Sequence, residues 1–130
     1  MPSIADFTKS EIWTIESTLK ERWGKDHGIE LQFADTDIRI NLGDKDTTEC
    51  PAVIWQHKGC NFVIFKTGMQ NYRCQFFYRG YQQYGTGVHE YDDIGDCIIS
   101  LLQVQADHAR ENQIDQENND GTLPRGTERQ

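Results

Sequence analysis

The sequence predicts a two-layer α+β sandwich, in which an N-terminal and a C-terminal helix flank a five-stranded antiparallel meander (α-β-β-β-β-β-α). Three observations support this fold class. Apolar residues recur at helical spacing in two segments, residues 9–23 and residues 91–110. Between these two segments, apolar and polar residues alternate in short runs bounded by turn residues. The connections between the runs are short, which favours neighbouring antiparallel strands.

The first helix is predicted over residues 9–23. The stretch Thr8-Lys9-Ser10-Glu11 fits a capping box, in which the Thr8 and Glu11 side chains each satisfy a free backbone N–H group. Gly24 is placed to end the helix, because glycine commonly follows the last helical turn. One apolar stripe runs along the helix at spacings of three and four residues: Ile12, Ile15, Leu19 and Trp23.

The next segment predicts a hairpin with one buried and one solvated face. Apolar and polar residues alternate over residues 29–33 and again over residues 38–42. The stretch Ala34-Asp35-Thr36-Asp37 between them has the composition of a turn. An exposed loop over residues 43–49 is expected to follow, and Pro51 marks the start of the next strand.

Residues 52–79 predict three more strands whose register follows from the lengths of their turns. Lys58-Gly59 is a two-residue turn, which sets His57 opposite Cys60. A second turn over residues 67–71 sets the third of these strands against the second. The three strands therefore form one antiparallel sheet.

This register divides the side chains of the sheet into two faces, because successive residues of a strand point to opposite sides. One face is a predicted core: Val53, Trp55, Phe62, Ile64, Cys74 and Phe76. The opposite face, called here the outer sheet face, mixes aromatic, amide and arginine side chains: Ile54, Gln56, Asn61, Val63, Phe65, Arg73, Gln75, Phe77 and Arg79.

A second amphipathic helix is predicted over residues 91–110. Its apolar side consists of Ile94, Cys97, Ile98, Leu101, Leu102 and Val104. From residue 113 onward the chain has almost no apolar content, which is typical of disorder. The predicted organisation is one α+β domain over residues 1–112 and a polar C-terminal tail over residues 113–130.

The charge distribution limits the classes of partner. The net charge of −8 argues against a broadly basic surface for nucleic acid. Residues 50–89 nevertheless contain no acidic residue and four bases, which makes this block a candidate partner-facing patch. The four bases are Lys58, Lys66, Arg73 and Arg79.

The sequence predicts a cytoplasmic protein that does not enter a membrane. No apolar run approaches the roughly 18 residues that a bilayer-spanning helix needs. The N-terminus lacks the basic and apolar regions of a secretory signal. The cysteines show no CxxC spacing and no disulfide-scaffold pattern, so we expect free thiols in a reducing compartment. They are Cys50, Cys60, Cys74 and Cys97.

No motif in the sequence fixes a reaction, and neither a cofactor nor a metal is predicted. Cys50, His57 and Cys60 have a C-x6-H-x2-C spacing, but Cys50 would lie roughly 20 Å from the turn along an extended strand, too far to share one zinc ion. Cys60 beside His57 is the one pair that suggests nucleophilic catalysis. A cysteine-based enzyme using this pair is therefore kept as an alternative.

Residues 80–91 form a long connector for a compact domain and are rich in tyrosine and glycine. Tyrosine is enriched in protein interfaces, and the connector joins directly to the outer sheet face. The expected function is a small non-catalytic protein-binding module of the inhibitor, immunity, adaptor or assembly-factor type. Its predicted partner-binding residues are Phe65, Arg73, Phe77, Arg79, Tyr81, Tyr84 and His89.

Two further hypotheses concern the partner. Aromatic and arginine side chains on an open sheet also suit an anionic ligand or single-stranded nucleic acid bound on the same face. Trp13 and Trp23 add aromatic surface to the first helix, which makes a homodimer a further expectation. The protein-binding and nucleic-acid hypotheses require that no helix covers the outer sheet face.

Overall fold

The computed structural model of this chain describes residues 4–41, 43–78 and 83–112. Its elements are α1 (Lys9–Trp23), β1 (Gln32–Ile38), β2 (Thr48–His57), β3 (Cys60–Gly68), β4 (Asn71–Phe77), β5 (Gln83–Tyr84) and α2 (Ile94–Asn112). The five strands lie in the sheet in chain order, and each neighbouring pair is antiparallel. The predicted fold, a five-stranded antiparallel meander between two helices, is confirmed. The predicted polar tail over residues 113–130 lies outside the described residues.

The first helix begins at the predicted capping box. The Thr8 hydroxyl accepts a hydrogen bond from the Glu11 N–H (3.1 Å), and the Glu11 carboxylate accepts one from the Thr8 N–H (2.7 Å). Two N–H groups that the first helical turn leaves free are thus satisfied. The helix ends before Gly24, whose φ of 87° is a conformation that glycine adopts without strain.

The register of the central strands agrees with the one predicted from the sequence. His57 lies opposite Cys60, and Phe62 lies opposite both Trp55 on β2 and Phe76 on β4. The turn between β2 and β3 is the two-residue Lys58-Gly59, and both residues have positive φ. Such a turn matches the right-handed twist of its strands, so its length fixes the pairing.

Both helices pack on the same face of the sheet. Ile15 and Leu19 of α1 and Ile98 and Leu101 of α2 join one buried cluster with the inward side chains of β2, β3 and β4. Trp55 stacks on Phe62 at the centre of this cluster, with 5.4 Å between ring centroids. Burying one such ring stabilises the fold by roughly 1.5–3 kcal/mol. The core therefore lies between the helix layer and one face of the sheet.

The predicted hairpin over residues 29–42 is wrong. A single strand, β1, runs through the supposed turn and pairs with β2, so that Asp35 lies opposite Pro51. Most side chains of β1 are exposed because it is an edge strand, so polar residues can occupy it at little cost. One strand therefore replaces two predicted ones. The sheet still has five strands because it includes the short strand β5, which the sequence pattern did not indicate.

A buried polar network attaches the start of α1 to β3 and β4. The Lys66 ammonium donates to the Glu11 carboxylate (2.9 Å) and to the backbone carbonyl of Asp6 (3.0 Å). The Tyr72 hydroxyl donates to the second carboxylate oxygen of Glu11. The interpretation of Lys66 as part of a partner-facing basic patch is therefore wrong, since its side chain points into the core side and is only 3% exposed.

The network also sets the ionisation of its acidic member. Burial by itself raises the pKa of Glu11, but hydrogen bonds from Tyr72, from the Thr8 N–H and from Lys66, together with the Lys66 charge, outweigh it. The pKa of Glu11 therefore lies below its ordinary value of 4.5. Burial and the neighbouring carboxylate raise the pKa of Tyr72, so its phenol stays protonated and remains a donor.

Replacing Glu11 tests the contribution of this network to stability. In Glu11→Ala, the Lys66 ammonium and the Tyr72 hydroxyl lose their buried acceptor, and we expect the free energy of unfolding to fall by roughly 3–5 kcal/mol. Urea unfolding followed by circular dichroism measures the change. Glu16→Ala, on the exposed side of the same helix, is the control and should change stability by less than about 0.5 kcal/mol. Equal losses in the two variants would contradict this role.

The lowered pKa of Glu11 predicts a dependence of stability on pH. Below 4.5 the unfolded chain binds a proton at Glu11 more readily than the folded chain does, so the free energy of unfolding falls as the pH falls. Above 4.5 the stabilisation is fully present. Urea titrations between pH 3 and pH 6 should show a shallower acid-side slope for Glu11→Gln than for wild type. Identical slopes would show that Glu11 titrates normally.

Candidate functional site

The outer sheet face lies opposite both helices, and no helix within the described ranges packs on it. Its centre is apolar. Val63, only 5% exposed, lies opposite Ile54 on β2. Phe65 lies two residues further along β3, and Phe77 lies diagonally across from Val63 on β4. Amide side chains surround this centre, and the Gln56 amide donates to the Asn61 side-chain oxygen (2.7 Å). The face therefore combines partly exposed apolar groups with uncharged hydrogen-bonding groups.

Phe65 and Phe77 occupy the positions that the sequence predicted for them. Phe65 lies opposite Arg73, and Phe77 lies opposite Asn61, so both aromatic side chains point to the outer side. Each is partly exposed. The structure thus brings these two predicted site residues together on one face.

Arg73 lies on the same face but is engaged within the molecule. Its guanidinium donates to the Glu90 carboxylate (3.3 Å) and to the backbone carbonyls of Arg39 and Ile40. The Thr67 hydroxyl donates to the same Glu90 oxygen (2.7 Å). These bonds hold the segment after β1 and the segment before α2 against one end of the outer sheet face, and they neutralise the charge of Arg73.

Tyr84, a predicted partner-binding residue of the connector, does not lie on the outer sheet face. It pairs with Phe76, and the two rings stack with 5.3 Å between centroids. Its ring also lies 4.2 Å from that of His108 on α2. The side chain therefore faces the helices, because β5 continues the sheet and gives Tyr84 the same orientation as the buried Phe76.

The remaining predicted site residues are not gathered on this face. His89 is exposed in the segment that precedes α2. Arg79 and Tyr81 lie outside the described residues. Ile54 and Gln75, which the sequence-based site omitted, lie on the outer sheet face beside Val63. The alternation of side chains along β2 and β4 predicts this position for both residues. They were not included in the predicted site because neither side chain is aromatic or charged.

The proximity of His57 and Cys60 does not produce an activated nucleophile. Cys60 is 1% exposed, and burial raises the pKa of its thiol to about 12 despite hydrogen bonds involving Tyr78 and the Phe77 backbone. Burial also lowers the pKa of His57, and Lys58 and His27 lower it further. The imidazole stacks on Trp23, with 3.8 Å between centroids. Cys60 is therefore a buried thiol at neutral pH, which gives the cysteine-enzyme hypothesis no support.

Among the described residues, no group of three or more His, Cys, Asp or Glu side chains is arranged to hold a metal ion. Neither described helix is long and apolar enough to cross a membrane. Comparison with known proteins gave no match to a family model, to a curated protein or to a solved structure.

The reactivity of Cys60 tests its burial. Raising the pKa from 9.0 to about 12 lowers the thiolate fraction at pH 8 about a thousandfold, so alkylation by iodoacetamide should slow by at least that factor. Peptide mapping by mass spectrometry measures the rate in the native protein. The urea-unfolded protein supplies the reference rate. Native alkylation of Cys60 as fast as in urea would revive the cysteine-enzyme hypothesis.

Proposed function

We propose that this chain is a small non-catalytic protein-binding module that acts through its outer sheet face. The observation that carries the proposal is the chemistry of that face. In a chain in which 26% of residues are charged, the described part of the face has one charged side chain, Arg73, and Glu90 neutralises it. Inhibitor, immunity, adaptor and assembly-factor proteins are the types of binding module that fit its size.

The composition of the face resembles the centre of a protein interface. Such centres are depleted of charged residues and enriched in aromatic ones, and they are surrounded by a polar rim. Here Phe65 and Phe77 are the partly exposed aromatic groups, and Gln56, Asn61 and Gln75 supply amides beside them. The expected occupant is a protein surface that presents apolar side chains and uncharged hydrogen-bonding groups.

The alternative of a nucleic-acid or anionic ligand on this face has weaker support. Backbone phosphates are bound mainly by lysine and arginine. Of the predicted bases, Lys66 points to the core side, and Arg73 already binds Glu90 and two carbonyl groups. A protein partner is therefore favoured over a phosphate backbone.

The cytoplasmic location predicted from the sequence belongs to the same proposal. All four cysteines are free, and three of them are buried. Free thiols are typical of proteins kept in a reducing compartment. A homodimer is the second candidate partner, with its contact at the aromatic surface that Trp13 and Trp23 add to α1.

Site-specific photocrosslinking in the source cell tests the proposal. A photoreactive phenylalanine analogue is placed at position 65 or 77, and crosslinked proteins are identified by mass spectrometry. Positions 13 and 99, which lie on the helix layer and are 68% and 58% exposed, serve as controls. We expect one protein to crosslink from both sheet positions and from neither control. Equal crosslinking from all four positions, or none from the sheet, would contradict the proposal.

A pair of substitutions then measures the role of the face in affinity. Phe77→Gln replaces an aromatic group by the amide typical of its neighbours, and the loss of one central aromatic contact should weaken the crosslinked complex roughly tenfold. Phe33→Gln is the matched control. Phe33 is also a strand residue and is 53% exposed, but its side chain points toward the helix layer. Isothermal titration calorimetry measures both. Equal weakening by the two substitutions would place the contact elsewhere.

A further inference from the structure

A second site lies at the end of the sheet where the β2–β3 turn approaches the last turns of both helices. A pocket of about 350 Å³ opens there. This volume is at the lower end of the range for small-molecule sites. It lies near the turn edge of the sheet, and none of its described lining residues belongs to the outer sheet face, so the proposed protein-binding function leaves it unexplained.

The pocket is basic in an otherwise acidic protein. Arg22 comes from the end of α1, Lys58 from the β2–β3 turn and Arg110 from the end of α2, and none of the described residues that line the pocket is acidic. The net charge of the chain is −8, so a group of three cations around one pocket differs in sign from the charge of the protein as a whole. Asp107 binds Arg110 from outside the lining. The Arg22 guanidinium donates to the backbone carbonyl of Leu102 (3.4 Å), a neutral acceptor that leaves its positive charge in place.

Stabilisation of the helix ends explains only part of this arrangement. Cations near a helix C-terminus interact favourably with its dipole, and this accounts for Arg22 and Arg110. It does not account for Lys58, which lies on a β-turn with φ of 52°. Asparagine, aspartate and glycine are the usual residues at such a position, and a lysine adopts this conformation at a cost.

Aromatic rings form the wall of the pocket next to these charges. Trp23 and His57 stack with an interplanar angle of 18°. Tyr78 lines the pocket as well, and its hydroxyl accepts a hydrogen bond from the Gln105 amide (2.8 Å). Lys58 is one of the causes of the lowered pKa of His57, which is consistent with a positive local potential.

We propose that this pocket binds a small aromatic anion, in which a phosphate or carboxylate group is attached to a planar ring. The ring packs beside Trp23 and His57, and the anionic group lies between Arg22 and Lys58. Cationic groups attract the anion, and the aromatic wall supplies the apolar contact that orients the ring.

Nuclear magnetic resonance titration tests this site with defined probes. Phenyl phosphate represents a ring with a phosphate, benzoate represents the same ring with a carboxylate, and phenol and inorganic phosphate represent the ring and the anionic group alone. We expect saturable shifts of the assigned Trp23 and His57 ring signals with at least one of the two complete probes, and weaker binding of both halves. Saturation by one complete probe identifies its anionic group as the preferred one. No saturable shift with either, or inorganic phosphate binding as tightly as both, would overturn the proposal.

Lys58→Gly is the decisive variant because it removes the charge and relieves the strained backbone at the same time. The fold should therefore persist, and thermal unfolding checks that it does. Loss of the charged contact should weaken binding of the complete probe about fivefold or more. Lys45→Gly removes the same charge from the loop at the opposite end of β2, and it should change affinity less than about twofold. Equal affinities of Lys58→Gly and wild type would show that the cationic turn does not form the site.

Discussion

The buried carboxylate of Glu11, in contact with Lys66 and Tyr72, determines how the helix layer is attached to the sheet. One carboxylate completes the capping box of α1 and also accepts hydrogen bonds from two adjacent central strands. The start of the helix is thereby fixed over β3 and β4 on one side of the sheet. Because α2 packs beside α1 on that side, the opposite face is left without a helix in the described residues. The surface proposed to bind a partner is a consequence of this attachment.

The central part of the fold could be predicted because its signals are local and mutually consistent. The two-residue turn at Lys58-Gly59 fixes one register, and strict alternation then assigns each side chain of β2, β3 and β4 to a face. The same alternation also placed Lys66 on the face of Phe62 and Ile64. The inward orientation of the Lys66 side chain was therefore predictable. Its contact with Glu11, 55 residues away in the sequence, was not.

Other features depend on contacts that a sequence pattern does not contain. Ala34-Asp35-Thr36-Asp37 has turn composition, but an edge strand tolerates the same residues because its side chains face solvent. Tyr84 turns toward the helices because of β5, whose two residues are too few to show a periodicity. The basic pocket combines the ends of two helices with a β-turn, and residues so far apart in sequence gave no signal of their convergence.

We propose that a partner covers the outer sheet face while the helix layer stays exposed. Hydroxyl-radical footprinting of the chain in its source cells and after purification distinguishes the two surfaces, since oxidation reports the exposure of each side chain. We expect Phe65 and Phe77 to be oxidised in the purified protein and protected in the cell, while Trp13, 68% exposed on α1, is oxidised in both. Equal oxidation of Phe65 and Phe77 in the two states, or protection confined to Trp13, would contradict it.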